Sequence, residues 1–309
     1  MNKDSFIDFI CCNVKERLGE TYSVKKQSVR KNNNVMRHGI MISDRDKNIA
    51  PTIYLDQFYD TYKKNQDMEG IVEDILAAFW RGNPSKSIDM DFFTDFSIVK
   101  EKLCYRLINA KKNQELLNEI PYLPFLDLAI CFFYPFEHRE IGEGSILVRN
   151  SHLEHWGVKI KDLWETAEKN TKLLYPAECC PMEDMLFELV GHGAQRETER
   201  HWKELPDFEN YPPEVPMTVL TNSKRIFGSS VILYKGYLER IADRLGQSFF
   251  ILPSSIHEWI IYMRQEEEEN AENIRQIIRE VNSTQLDPQE VLSDNLYYYD
   301  RSEQTIKLY

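Results

Sequence analysis

The chain predicts an α+β fold: mixed or antiparallel sheets with amphipathic helices packed on them, in two domains. Three observations carry this. Apolar residues recur at helical spacing in some segments and run together or alternate in others, so both periods are present. Polar turn clusters separate neighbouring strand-like runs, which is the pattern of hairpins. The 309 residues, 42% hydrophobic and 28% charged, suit one large or two ordinary globular domains.

Taken in order, Phe6, Ile10, Val14 and Leu18 recur every four residues, and Phe9 widens the stripe. They predict a first helix that stops at Gly19. Residues 24–30 and 35–42 read as strands, joined by Lys31-Asn32-Asn33-Asn34, whose asparagines tolerate positive φ. An ordered stretch opens at Pro51. Leu55, Phe58, Tyr59 and Tyr62 then share one helical face, and Ile71, Ile75 and Phe79 mark the next helix. The breaker cluster Gly82-Asn83-Pro84 predicts a boundary between an N-terminal α+β domain, residues 1–82, and a C-terminal one, 83–309.

Beyond the boundary, Asp95 predicts the cap of a long helix bearing Phe96, Val99, Leu103 and Leu107. Residues 126–134 form an apolar strand with a partner at 145–148. Residues 160–174 form an amphipathic helix through Leu163, Trp164, Ala167 and Thr171. Residues 191–216, rich in proline and without an apolar period, read mostly as a connecting loop. Next come an apolar run at 217–220, the turn Thr221-Asn222-Ser223, a helix stopping at Gly246 and a second run at 249–252. Glu266 to Glu269 begin a helix with Ile274, Ile277, Ile278 and Val281 on its inner face. Asp287-Pro288-Gln289-Glu290 carries a helix-start pattern, and residues 296–299 and 305–308 read as a hairpin. Strand, Asn-Ser turn, aromatic-Gly and helix occur twice, which suggests two related strand-helix units over about residues 121–176 and 217–262.

Composition narrows the function classes. The net charge is -12, from 50 acidic and 38 basic residues, so phosphate backbones are repelled and nucleic acid is disfavoured as a partner. The local cations Lys25, Lys26, Arg30, Lys31 and Arg37 lie on the first hairpin and read as solvated surface. The longest apolar stretch, residues 123–136, is interrupted by Asp127 and falls short of the ~20 residues a membrane span needs. No signal-peptide core follows Met1, so the expected setting is cytoplasmic and the six cysteines are expected as free thiols. They include the adjacent pairs Cys11-Cys12 and Cys179-Cys180, and no Cys-x-x-Cys occurs.

The candidate catalytic residues are Ser255 and His257, in Pro253-Ser-Ser-Ile-His-Glu258 at a strand end. A hydrolase needs a nucleophile, a base in reach and a group that orients the base. Here neighbours on an extended segment diverge, and no Gly-x-Ser-x-Gly elbow occurs. The competing reading is structural: the hydroxyls cap backbone groups and the imidazole is satisfied internally. His152 and His155, spaced His-x-x-His, are the weak metal candidates. Adjacent cysteines seldom complete one tetrahedral site, so no metal and no cofactor is expected. His192 is a loop histidine without a visible second ligand. The carboxylates Asp56, Asp60, Glu69, Glu73 and Asp74 read as a solvated helical face, and the common nucleotide loops are absent. Tyr297-Tyr298-Tyr299 on an alternating strand puts aromatic surface on both faces.

Several stretches resemble a bacterial family catalogued as domain of unknown function 5688, seen mostly in anaerobic gut Firmicutes. They are Lys31-Asn32-Asn33, Pro51-Thr-Ile-Tyr-Leu55, Asn150-Ser-His-Leu153 with Trp156-Gly157, and Tyr175-Pro-Ala-Glu178. Further matches are Leu220-Thr-Asn222, Ile251-Leu-Pro-Ser-Ser-Ile-His-Glu258, Arg279-Glu-Val-Asn282 and Glu290-Val-Leu-Ser-Asp294. The resemblance spans almost the whole chain and implies no activity. One departure follows Glu258, where Trp259-Ile-Ile-Tyr-Met runs into Arg264 and the acidic helix.

Three functional expectations remain open. The first is a cytoplasmic, non-enzymatic interaction or regulatory protein with a protein partner. The second is a hydrolase using Ser255 and His257 with a carboxylate brought from elsewhere. The third is an acidic nucleic-acid mimic or regulator encoded on a mobile element.

Overall fold

A computed structural model describes residues 1–48, 50–84, 86–87, 90–140, 142–189, 203–205, 217–263 and 271–309. The fold is α+β. The chain divides into two compact units, Met1–Thr94 with Pro135–Ser145, and Asp95–Tyr134 with Ile146–Tyr309. Gly82-Asn83-Pro84 ends a helix within the first of these, and the division in the chain falls after Thr94.

The first unit runs α1 (Lys3–Leu18), β1 (Tyr22–Arg30), β2 (Met36–Asp44), β3 (Thr52–Tyr54), α2 (Asp56–Asn65) and α3 (Met68–Gly82). The Asn2 side chain accepts the Ser5 N–H and caps α1, and Gly19 at φ 72° ends it. The strands form one sheet in the order β1-β2-β3, antiparallel throughout. Asn33 and Asn34, both at φ 59°, make the turn that pairs Arg30 with Met36. Phe6, Ile10 and Val14 pack with Ile40, Ile42, Ile71, Ile75 and Phe79 in the core. Phe9 does not widen that stripe. It is 39% exposed, and Ile7 takes the buried position instead. Four of the five carboxylates expected on a solvated face are paired: Asp56 with Lys3 at 2.7 Å, Asp60 with Lys63 at 2.6 Å, and Glu69 and Glu73 both with Arg17.

In the second unit the long helix expected from Asp95 to Leu107 is not formed. Asp95 does cap, accepting the Ser97 N–H at 2.8 Å, but α4 covers only Phe96–Val99. The chain then enters strand β4 (Cys104–Asn109). The spacing of Leu103 and Leu107 was ambiguous because Cys104, Tyr105, Leu107 and Ile108 are all buried, so both faces are apolar, as in a doubly covered strand. After α5 (Gln114–Leu117) come β5 (Tyr122–Phe125), β6 (Leu128–His138) and β7 (Gly142–Leu147), which complete a sheet of order β4-β6-β5 with β7 on β6.

Helices α6 (Asn150–Trp156) and α7 (Ile160–Leu174) lead to β8 (Ala177–Pro181), α8 (Met182–Leu189) and β9 (Met217–Asn222). A 3-10 segment, Gly228–Leu233, separates β9 from α9 (Tyr237–Leu245), so the helix starts later than the sequence suggested. Strands β10 (Phe249–Ser255) and β11 (Glu258–Tyr262), helix α10 (Ala271–Thr284), and strands β12 (Tyr297–Asp300) and β13 (Thr305–Leu308) finish the unit. Its larger sheet has the order β13-β12-β10-β11-β9-β8 and is antiparallel throughout. The repeated Asn-Ser pattern sits differently in its two copies: Asn150 opens α6, whereas Asn222 ends β9.

Two further expectations are corrected. The inner face of α10 is Ile274, Ile278 and Asn282, while Ile277 and Val281 are 57% and 41% exposed. Asp287-Pro288-Gln289-Glu290 forms one turn and no helix. Asp287 accepts the Gln289 N–H, but Val291 and Leu292 are buried in irregular chain that leads to β12. The expected loop at 191–216 lies outside the described residues except for 203–205. The acidic start at Glu266 to Glu269 and His192 lie outside them as well. No described helix is long and apolar enough to cross a membrane.

Candidate functional site

The β10–β11 turn and the loop after β9 build one site within the second unit. The loop begins at buried Asn222, whose Oδ1 accepts the N–H of Lys224 (3.1 Å) and whose Nδ2 donates to the Ile226 carbonyl (2.9 Å). This is an Asx turn, and it leaves residues 223–226 exposed. Two non-glycine residues of the loop, Arg225 at φ 54° and Phe227 at φ 53°, adopt the left-handed conformation, which is uncommon outside glycine and asparagine. Gly228 follows where no side chain fits: a Cβ there would collide with Thr221 Oγ1 and the His257 carbonyl oxygen.

The facing turn, Ser254 to Glu258, holds the loop from the other side. Thr221 Oγ1 donates to the His257 carbonyl at 2.7 Å. The Phe227 N–H donates to His257 Nδ1 at 3.1 Å, and the two rings stack with centroids 5.9 Å apart and 12° between planes. Ser255 Oγ accepts the His257 main-chain N–H at 3.0 Å, and Ser254 Oγ donates to Glu258 at 2.8 Å. The register shift in β10 between Pro253 and Ser255 turns these neighbours, so that serine and carboxylate meet across the tip. The Ile256 N–H donates to the Glu290 carbonyl at 2.8 Å, which ties the same turn to residues 287–290.

Ser255 and His257 are therefore neighbours, but the contact of the Ser255 hydroxyl is with the His257 backbone and not with its imidazole. Burial lowers the His257 pKa, as does Arg106, while Glu290 and Glu258 oppose the shift. A neutral ring that accepts at Nδ1 carries its proton on Nε2, a tautomer assigned from the hydrogen bond.

Arg106, Phe227 and Asp127 were missed by sequence reasoning as site residues. Arg106 lies on β4, opposite Cys131 of β6, with its guanidinium carbon 4.5 Å from the Phe227 ring centroid. Phe133 packs edge-on against the same ring at 5.2 Å. The available signal was a charged residue inside an otherwise apolar strand. Asp127, read only as an interruption, is the hub of a second network. Its carboxylate accepts from Ser293 Oγ (2.6 Å), Asn295 Nδ2 (3.0 Å) and the Tyr297 hydroxyl.

His152 and His155 both fall on α6. His152 Nδ1 accepts the Arg149 N–H at 3.0 Å and its ring lies on Trp156, while burial, Arg149 and His155 lower its pKa. No group of three or more His, Cys, Asp or Glu side chains among the described residues is placed to hold a metal ion. Cys179 and Cys180 are buried in β8, and burial pushes the Cys179 thiol up to about 12. Of the three C-terminal tyrosines, Tyr297 and Tyr299 are buried, and Tyr298 packs against Phe250 and Tyr309. An open cavity of about 260 Å³ is lined by Lys172, Lys203, Arg240, Glu178 and Glu204 beside Tyr234. Among its polar groups, Tyr234 donates to the Tyr175 carbonyl and Arg240 pairs with Glu204.

Compared with known proteins, residues 3–301 match a family of unknown function, DUF5688. No curated protein and no solved structure matches the chain.

Proposed function

We propose a binding role without chemistry of its own for this chain, which belongs to the DUF5688 family of unknown function. Its second unit presents the exposed residues 223–226 to a protein partner. One observation carries the reading: His257 Nδ1 and the His257 carbonyl both bond groups that fix this loop, and Ser255 Oγ braces the His257 backbone. Residues that hold a strained loop in one conformation lower the entropy cost of recognition. The exposed tip combines Lys224 and Arg225 with Ile226, 39% exposed, so it offers charge and apolar area together.

We place the protein in the bacterial cytoplasm. Six free thiols support a reducing setting. The pairing of Asp56, Asp60, Glu69 and Glu73 with cations favours a protein partner over mimicry of a phosphate backbone. The test compares wild type with the combined variant Lys224→Glu, Arg225→Glu, Ile226→Ala. Proteins retained by each are quantified by mass spectrometry, and circular dichroism checks that the variant folds. Loss of a specific retained protein from the folded variant supports the reading. An unchanged set, or fluorophosphonate labelling of Ser254 or Ser255 that His257→Ala abolishes, overturns it in favour of the hydrolase.

A further inference from the structure

We infer that Arg106 and His257, both packed on Phe227, form a binding site for a carboxylate. Both stack against that ring, the guanidinium at 4.5 Å and the imidazole at 5.9 Å. The inference stands on its own, whether or not residues 223–226 meet a protein.

The first observation is an orphaned donor. Arg106 Nε is buried and has no hydrogen-bond partner. Buried polar groups in native proteins are almost always satisfied, and exceptions point to an absent ligand, water or ion. Among the described residues no carboxylate pairs with Arg106, although partly buried arginines ordinarily have such a partner. Its neighbours are the Phe227 ring and the buried Cys131, across the strand pair. The second observation is the imidazole. With Nδ1 accepting the Phe227 N–H, the neutral ring offers Nε2–H as a further donor. The third is rigidity: Phe227 is held in the left-handed conformation by the Asn222 turn and by His257, so the surface between the two donors is preorganised.

The chemistry selects the ligand class. A guanidinium fork matches a planar carboxylate through two parallel hydrogen bonds. Glu258 and Glu290 both act electrostatically on His257, so the surroundings oppose a second negative charge. A monoanionic carboxylate therefore fits better than a phosphate dianion. The aromatic surface of Phe227 and Phe133 next to the donors favours an acid with an apolar body.

The test titrates the full chain with acetate, benzoate and inorganic phosphate at constant ionic strength, following backbone amide shifts by NMR. A short peptide with a free C-terminal carboxylate, against its amidated form, separates a small-acid source from a protein one. The expected result is saturable binding of benzoate, tighter than acetate or phosphate, with shifts at Phe227 and His257. Arg106→Met should weaken it at least tenfold, and Arg106→Lys should weaken it less. Both variants should keep the ligand-free melting temperature; should Arg106→Met fail to fold, Arg106→Lys decides. No saturable binding of any carboxylate, binding unchanged by the variants, or tighter binding of phosphate overturns the inference.

Discussion

Replacing His257 with alanine removes the acceptor for the Phe227 N–H and the ring stacked on Phe227. An unsatisfied, partly buried donor costs about 1–3 kcal/mol. A stacked aromatic pair contributes about 0.5–1.5 kcal/mol beyond its area. The second unit should therefore lose ~2–4 kcal/mol at neutral pH, with the loop 223–227 released from its left-handed geometry. A pH signature should accompany the loss. Burial holds the folded-state pKa of His257 below its unfolded value, so below about pH 6.5 the unfolded chain binds the proton more readily. The stability linked to the neutral ring is present above that pH and declines as pH falls through it. The alanine variant lacks this contribution, so its stability should fall less on acidification than that of wild type. His152, also lowered, keeps part of the slope in both proteins. Urea midpoints by circular dichroism at about pH 7.5 and 5.5 measure both effects. Equal midpoints at the higher pH, or the same acid decline in both proteins, would refute the role given to the imidazole.

Gly228→Ala should destabilise the same unit by about 1–3 kcal/mol in urea titrations, since its Cβ meets Thr221 Oγ1 and the His257 carbonyl with no room to relax. Asp127→Ala strands the buried Ser293 and Tyr297 hydroxyls, so a loss of ~3–5 kcal/mol is expected; a midpoint within error of wild type would contradict the network. In native titrations with a thiol reagent, exposed Cys12 should react first. Cys104 and Cys179, each pushed up to about 12 by burial, should react only as the protein unfolds, and early modification of either would show that its burial is wrong.

Much of the fold was legible where one period dominated. The helix ending at Gly19, the Asn33-Asn34 hairpin, α7 and the terminal hairpin each combine a single periodicity with an unambiguous cap or turn. Legibility failed where both faces are apolar. At the start of β4, Leu103 and Leu107 match a helical stripe, and only the burial of Cys104 and Tyr105 between them reveals a strand. It failed again at Asp287, where the cap chemistry was read correctly but a turn uses it as well as a helix does. For the site, the Pro253-Ser-Ser-Ile-His-Glu258 segment stood out, yet what it grips lies 30 residues upstream, at Phe227. Arg106 could not be placed from sequence because its neighbours come from other strands and loops.

The Asp127 network also sets a timetable for synthesis. The carboxylate and the Tyr297 hydroxyl are 170 residues apart, and at ordinary translation rates the second follows the first by on the order of ten seconds or more. Until then the turn between β5 and β6 lacks its donors. Strand β10 likewise lacks β12, whose residues Tyr297 to Tyr299 pair with Ile251 to Phe249. An unpaired edge along Phe249, Phe250 and Ile251 is a template for intermolecular pairing. The nascent chain therefore carries an adhesive edge until β12 docks.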